Sequence, residues 1–553
     1  MRTPKIPTAL LLSLLIAATQ AGTPATPATL AAYAEKLLDE QRLGRDGPGV
    51  ALLVARGDEL LYQGARGMAS IELGVPLQPQ QLFRIGSVTK QFAAATLLRL
   101  IDEGKAKLDD PLSKFLPDYP NGAQITLIQL LNHTSGVKSY TGIPDYMLNQ
   151  IRRDLTTAEL IKEFKDQPVD FAPGQSWAYN NSGYVLVGAV IEAISGKAWH
   201  QQLSEALLQP AKLDVHYEAG DQLFKNMVRG YTRNDRGEVA PAGLLSMTQP
   251  HAAGALIANV ESLWRWNRLL HGGKLLSAAS YQRMITPEGA AKPRGYGYGI
   301  TVGQMRGQVL LQHGGGIHGF VSALNYLPQS QTTVVILRNS DGPGFSTDTV
   351  ARKLAAFAIG EPYPELKSLA VPPEALRAVE GIYALDEKRT RIFRISGGQL
   401  QTAPTGGRVM PLLAFGEDRF GPADSLTWMQ LVRGADGKVE AMRIYPNGEG
   451  EGELWQRRGD APARPTVTLN AAQVQALLGE YSAPEFSMKV FVDDKGVLRT
   501  QAKGQGAMEV KASGPRQLWL TAVDAVLEFS AEEGQAASAT LIQGATRLET
   551  KRK

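Results

Sequence analysis

The stretch that decides the reading is RIGSVTKQFAAATLL, residues 84–98. It places Ser87 three residues before Lys90 and follows both with a run of good helix formers. On a helix, that spacing puts both side chains on one face, a turn apart. A serine at the helix start lies where free backbone N–H groups and the positive end of the dipole favour a developing anion. A neighbouring lysine, neutral or sharing a proton, activates a hydroxyl that is otherwise a weak nucleophile. The pattern is common, and the chain holds a second copy, Ser135-Gly136-Val137-Lys138. That copy follows a helix stop and has Gly in second place, which predicts a loop without fixed geometry. Ser87 is the stronger candidate, and the remaining sequence has to support it.

Two further stretches carry candidate chemistry. In FAPGQSWAYNNSGY (171–184) a Pro-Gly turn precedes an apolar helix that opens at Tyr179-Asn180-Asn181. Read as structure, Asn181 or Ser182 is the N-cap; read as chemistry, Tyr179 is a general base with an amide donor, Asn181, two residues on. In LQHGGGIHGFVSAL (311–324) His313 and three glycines stand between two strand patterns. Consecutive glycines weaken a strand, and close approach of a ligand to the backbone is one reason to keep them. The lipase oxyanion motif shares the HGGG string but needs a G-x-S-x-G elbow downstream. The nearest approach, GQSWA (174–178), lacks the final Gly and comes first, so that reading fails.

No H-E-x-x-H, dinucleotide loop or phosphate loop occurs, and there is no cysteine, so no cofactor or metal is expected. His313 and His318 are five apart in a Gly-rich turn, poor geometry for one metal. His133, in NHTSG, reads as a structural histidine near a helix end, and SLWRWNRLL (262–270) as core packing.

At 553 residues the chain is too long for one core, and a formal charge of +4 gives no footprint for nucleic acid. MRTPKIPTALLLSLLIAATQA (1–21) reads as a secretory signal: basic residues, a short apolar run, then small residues. Export without disulfides suits a periplasmic or secreted protein, and no other segment reaches membrane-spanning length. Between 22 and 362, strand patterns at both ends enclose helical segments, implying one α+β domain whose antiparallel sheet is built from distant parts of the chain. A Pro-rich stretch (361–373) marks its end. Beyond it VEGIYAL (379–385) matches LGEYSA (478–483), and RIFRISGGQLQT (391–402) matches KVFVDDKGVLRT (489–500). The offset is 98 at the glycines (479 − 381), the phenylalanines (491 − 393) and the leucines (498 − 400). A constant offset predicts duplicated domains, 373–458 and 468–553, joined by APARPTV (461–467), and their alternating short strands favour a small all-β up-and-down barrel or sandwich for each.

FRIGSVTK, LLNHTSG, PGQSWAYNNSGY, PHAAGALIANVESLWRWNRLL, GYGYGI and HGGGIHGF, in that order, closely resemble the serine β-lactamase-like family. That family includes class C β-lactamases, low-molecular-mass penicillin-binding proteins, certain esterases and D-aminopeptidases. The resemblance spans residues 30–360 and implies an antiparallel sheet flanked by helices, with a helical subdomain. It also implies roles. Ser87 would be the nucleophile that forms an acyl-enzyme, with Lys90 as its activating partner. Tyr179 would be the general base and then the proton donor to the leaving group, and Asn181 would bind the substrate's acyl side. His313 and Gly315 would form the third motif, and the N–H groups of Ser87 and Gly316 the oxyanion hole. The C-terminal units resemble the lipocalin-like barrels of D-aminopeptidase-type members, which would set a loop over the cleft. One departure matters: true β-lactamases and most penicillin-binding proteins begin the third motif with Lys. A histidine is mostly neutral near pH 7 and supplies no fixed charge for a substrate carboxylate. The expectation is an exported serine hydrolase of a peptide, D-amino-acid amide or ester, with no nucleic-acid partner and an oligomer allowed. A β-lactamase is the second reading, and a non-catalytic protein that binds peptides or cell-wall fragments is the alternative of another class.

Overall fold

The computed structural model describes residues 23–553 apart from 220, 221, 235, 397, 417, 424, 463, 485, 531–533 and 545. The expected signal segment, 1–21, lies outside the described residues. Six antiparallel strands form the central sheet: β1 (Val50–Arg56), β2 (Glu59–Arg66), β3 (Thr301–Met305), β4 (Gln308–Ile317), β5 (Phe320–Leu327) and β6 (Thr332–Arg338). Their order is β3-β4-β5-β6-β1-β2, so the N-terminal hairpin closes one side of a sheet made mostly after residue 300. The run VALLVA has apolar residues at every position because both faces of β1 are covered. Val50, Leu52 and Val54 join one core cluster, with α1 (Pro27–Glu40) and α4 (Thr347–Ala358). Ala51, Leu53 and Ala55 join the other, with α2 (Thr89–Asp102) and α3 (Asn181–Ser195). The β-lactamase-like α+β architecture is thus present. Phe92 stacks on Trp266 at 3.8 Å between ring centroids, which makes the Trp-rich stretch core packing.

Two antiparallel β units follow, and each opens on a short helix, Pro373–Val379 and Ala471–Leu477. In each, a fully buried tyrosine donates to a carbonyl four residues back: Tyr383 to Val379 O at 3.0 Å, Tyr481 to Leu477 O at 2.9 Å. The 98-residue offset holds at these pairs and at Thr402/Thr500, but not at the second strand of each unit. Opposite Gly381 stands Phe393, whereas opposite Gly479 stands Val490, not Phe491. The first hairpin of the second unit is one residue shorter, so Val490 takes the buried place of Phe393 and the phenylalanine match was a coincidence of sequence. The second unit is a closed eight-stranded barrel. The first is a nine-stranded sheet left unclosed between Met410–Pro411 and Leu413–Gly416. Pro411 has no N–H to pair, and the N–H of Leu412 is spent on Leu400 O. Among the described residues no helix is long and apolar enough to cross a membrane.

Candidate active site

Ser87 lies in a 3₁₀ turn, Gly86–Val88, which runs directly into α2. The N–H of Ile85 bonds to Leu256 O, and Leu256 N bonds to Thr89 Oγ1, which fixes the start of the helix. Gly86 has φ +51°, and a Cβ there would stand 2.9 Å from Gly316 N. The turn therefore lies against the last residues of β4. Strand β3 pairs with β4 only as far as Gln312, so residues 313–317 leave an unpaired outer edge beside Ser87. A Cβ on Gly316 would find open space.

Lys90 is fully buried, and its Nζ lies 3.2 Å from Ser87 Oγ, 2.9 Å from Asn181 Oδ1 and 2.9 Å from Ala253 O. Burial alone drives its pKa well below that of an ordinary lysine. All three partners are oxygens within donating reach of Nζ, and when the amine is neutral its two N–H groups can serve the two carbonyl oxygens while the lone pair faces the Ser87 hydroxyl. Its Nζ also sits 4.7 Å from the centre of the Tyr179 ring.

Tyr179 is 39% exposed overall, but its hydroxyl points inward beside Ser87, and enclosure raises the phenol pKa above its ordinary value. Helix α3 is capped by Asn180, not by Asn181 or Ser182: Asn180 Oδ1 accepts from Gly183 N at 2.8 Å. That leaves Asn181, the first residue of the helix, free to turn its side chain to Lys90. Its Nδ2 donates to Thr141 Oγ1 at 3.1 Å and its backbone N to Ser139 Oγ at 3.2 Å.

His313 is buried, and both ring nitrogens are engaged: Nδ1–H donates to Gly314 O at 2.6 Å, and Nε2 accepts from Tyr296 Oη at 2.9 Å. Burial, with the nearby Lys90, pushes its pKa down to about 4, so it is neutral at physiological pH. Its ring centre is 6.2 Å from that of Tyr179.

The structure thus gathers Ser87, Lys90, Tyr179, Asn181, His313, Gly315 and Gly316 into one cluster. It adds supporting residues: His133, read from the sequence as a structural histidine near a helix end, and Tyr296 and Gly299, which the residue patterns did not single out. His133 adopts φ +65° and accepts the N–H of Asn180 on Nδ1 at 3.2 Å, which holds the Tyr179 turn. Tyr296, from GYGYGI, fixes the tautomer of His313, and Gly299 packs on the backbone of Lys90, where a Cβ would approach to 2.7 Å. The only signal for these was their presence in NHTSG and GYGYGI. By contrast, Lys138 of the second S-x-x-K copy pairs with Asp170 at 2.8 Å, and Gly136 has φ +73°, as a loop requires. Among the described residues no group of three or more His, Asp or Glu could hold a metal ion.

Gly315 is required by packing: a Cβ would lie 2.0 Å from Ile85 O and 2.3 Å from Ser322 Oγ. Gly315→Ala is expected to cost about 1–3 kcal/mol of stability. It should also lower kcat/KM about 100-fold by displacing the Ser87 turn. Gly316→Ala, with nothing within 4 Å of the new carbon, is expected to hold stability within about 0.5 kcal/mol. Calorimetric melting of the two variants checks the contrast.

The family profile described as Beta-lactamase matches residues 30–358. The chain is 29% identical over 295 residues to a putative penicillin-binding protein PbpX of Bacillus subtilis (strain 168), covering 52% of this chain and 69% of that one. It is 24% identical over 420 residues to a D-aminopeptidase of Gluconobacter oxydans (strain 621H), covering 75% of each. Among solved structures, a D-stereospecific amidohydrolase from Streptomyces sp. superposes with a TM-score of 0.50 at 28% identity, covering 56% of this chain and 94% of that one.

Proposed function

We propose that this chain, which belongs to the β-lactamase family of serine hydrolases, cleaves amides or esters of D-amino acids and short peptides through an acyl-enzyme on Ser87. The observation that carries the reading is Lys90: a buried amine, its pKa lowered, beside a serine hydroxyl at 3.2 Å.

Neutral Lys90 Nζ takes the proton of Ser87 as Oγ attacks the substrate carbonyl carbon. The oxyanion that forms is held by the N–H groups of Ser87 and Gly316, a kind of contact worth about 3–4 kcal/mol per donor. Tyr179, kept protonated by its raised pKa, donates its proton to the departing amine or alkoxide and recovers one from the Lys90 ammonium. Water then attacks the acyl carbon by the same steps in reverse. This ordering makes Lys90 the base and Tyr179 the acid, where the family resemblance implied Tyr179 for both. Asn181, held by Thr141 and Lys90, faces the acyl side.

Substrate class rests on His313. A neutral ring with both nitrogens occupied offers no charge to a substrate carboxylate, which disfavours penicillins and favours amides and esters that lack one. The names of the D-aminopeptidase and D-stereospecific amidohydrolase relatives point the same way. Export completes the proposal, on the strength of residues 1–21. A panel of D- and L-aminoacyl amides, short esters and the chromogenic cephalosporin nitrocefin tests it. The expected result is a kcat/KM for the best D-aminoacyl substrate at least 100-fold above its L-isomer and above nitrocefin. Turnover of nitrocefin at the same level, or no stereochemical preference, would replace this reading with a β-lactamase or a broad esterase.

A further inference from the structure

A second site lies far along the chain from Ser87, where the two C-terminal β units meet. They dock through backbone hydrogen bonds, Val409 N to Ala522 O at 2.9 Å and Asp524 N to Gly407 O at 2.8 Å. Beside this seam is an open cavity of about 220 Å³. That is room for about seven waters at ~30 Å³ each, or a small organic molecule of similar bulk. Its walls come from three sources: Arg394 on the first unit, Arg464 on the connecting segment, and Lys511, Trp519 and Asp524 on the second unit.

The charge is unbalanced. Three cationic side chains face one carboxylate, a formal surplus of two positive charges. Asp524 pairs with Arg464 and lies 3.7 Å from Arg394, and it also accepts the N–H of Gly406. Glu380, which stands behind Arg394, is spent on the N–H of Ile395. Lys511 forms no ion pair among the described residues; its Nζ lies 5.9 Å from the Trp519 ring centre, and the Arg464 guanidinium lies 5.5 Å from the same ring. Two donors are left without an acceptor: Arg394 Nε and Trp519 Nε1 are buried and unbonded, and Trp519 is only 8% exposed. Both atoms have almost no accessible surface, so neither opens into the cavity, and recognition there falls to the other nitrogens that line it. Ile392, Ala403 and Val409 complete an apolar side opposite the charges.

We propose that this cavity binds a small organic carboxylate, its anionic head between Arg394, Arg464 and Lys511 and its apolar body on Trp519 and the aliphatic wall. Guanidinium groups fit a carboxylate or a phosphate by the same planar donor geometry. The indole and aliphatic wall select an anion that carries an apolar body over a bare inorganic one.

Titration calorimetry on the full chain tests this with phenylacetate and inorganic phosphate as probes. Phenylacetate is expected to bind at one saturable site, at least tenfold more tightly than phosphate. Lys511→Gln, which breaks no ion pair, is expected to weaken that binding at least tenfold with an unchanged melting temperature. Trp519→Phe, which shrinks the aromatic wall but keeps a ring, is expected to weaken it as well. Absence of saturable binding, equal affinity for phosphate, or binding that both variants retain at full strength would each overturn the proposal. Hydrolysis does not enter the readout, so the result is independent of the activity at Ser87.

Discussion

Replacement of Ser87 by alanine is expected to lower kcat on the best substrate by about 10⁴-fold or more, the scale seen when a covalent nucleophile is removed. The reason is local. Ser87 Oγ lies 3.2 Å from the Lys90 amine, and it stands in the turn that packs on Gly316. Without it the lysine has no proton to take, and the cleft retains only its capacity to bind. The backbone is not expected to move, because the turn is held by hydrogen bonds from Ile85 and Leu256 that do not involve the serine side chain. The melting temperature of Ser87→Ala is therefore expected to stay within a degree or two of the parent, since a half-buried hydroxyl at a surface cleft contributes about 1 kcal/mol or less. A large loss of activity with an intact melting transition is the expected pair of results.

Lys90→Met is expected to lower kcat by about 10²–10⁴-fold, the range for a positioned proton acceptor. The same lysine also determines two pH dependences. As the base it must be neutral, so the acid limb of kcat/KM reflects its titration and falls well below the ~10.4 of a free lysine. His313, at about 4, adds nothing to that limb above pH 5. For stability the sign follows from linkage. Lys90 has a lower pKa in the folded chain than in the unfolded one, so unfolding takes up a proton at any pH between the two values. The stability of the parent relative to Lys90→Met therefore rises with pH over that interval, by up to about 1.4 kcal/mol per unit, and is flat below it. Melting both proteins at several values from pH 5 to 9 measures this. A difference that does not change with pH would mean that Lys90 is not perturbed.

Much of the site was legible because its side chains come in short local patterns. Ser87 and Lys90 share one helix start, Tyr179 and Asn181 one turn, and His313 to Gly316 one strand end, and the fold had only to bring three segments together. The repeat was legible too, through the paired glycines and buried tyrosines. What could not be read has common physical causes. The Ala253 carbonyl that accepts from Lys90 belongs to the backbone and carries no mark in the residue type. The left-handed φ of His133, which turns its ring toward the Asn180 N–H, follows from tertiary packing rather than from local propensity. The tautomer of His313 is set by Tyr296, seventeen residues away and on another segment. Asn180 rather than Asn181 caps α3 because Asn181 is drawn to Lys90, a contact across 91 residues. The one-residue slip between the two C-terminal units was hidden because Phe491 happens to stand one residue after Val490, the true counterpart of Phe393.

The central claim is that a covalent intermediate forms on Ser87. Its most direct test is to treat the folded protein with a fluorophosphonate and map the adduct by peptide mass spectrometry. A single stoichiometric adduct within residues 84–98, at Ser87 and absent from Ser87→Ala, is the predicted result. An adduct at another serine, or no adduct in protein that still turns over substrate, would contradict it.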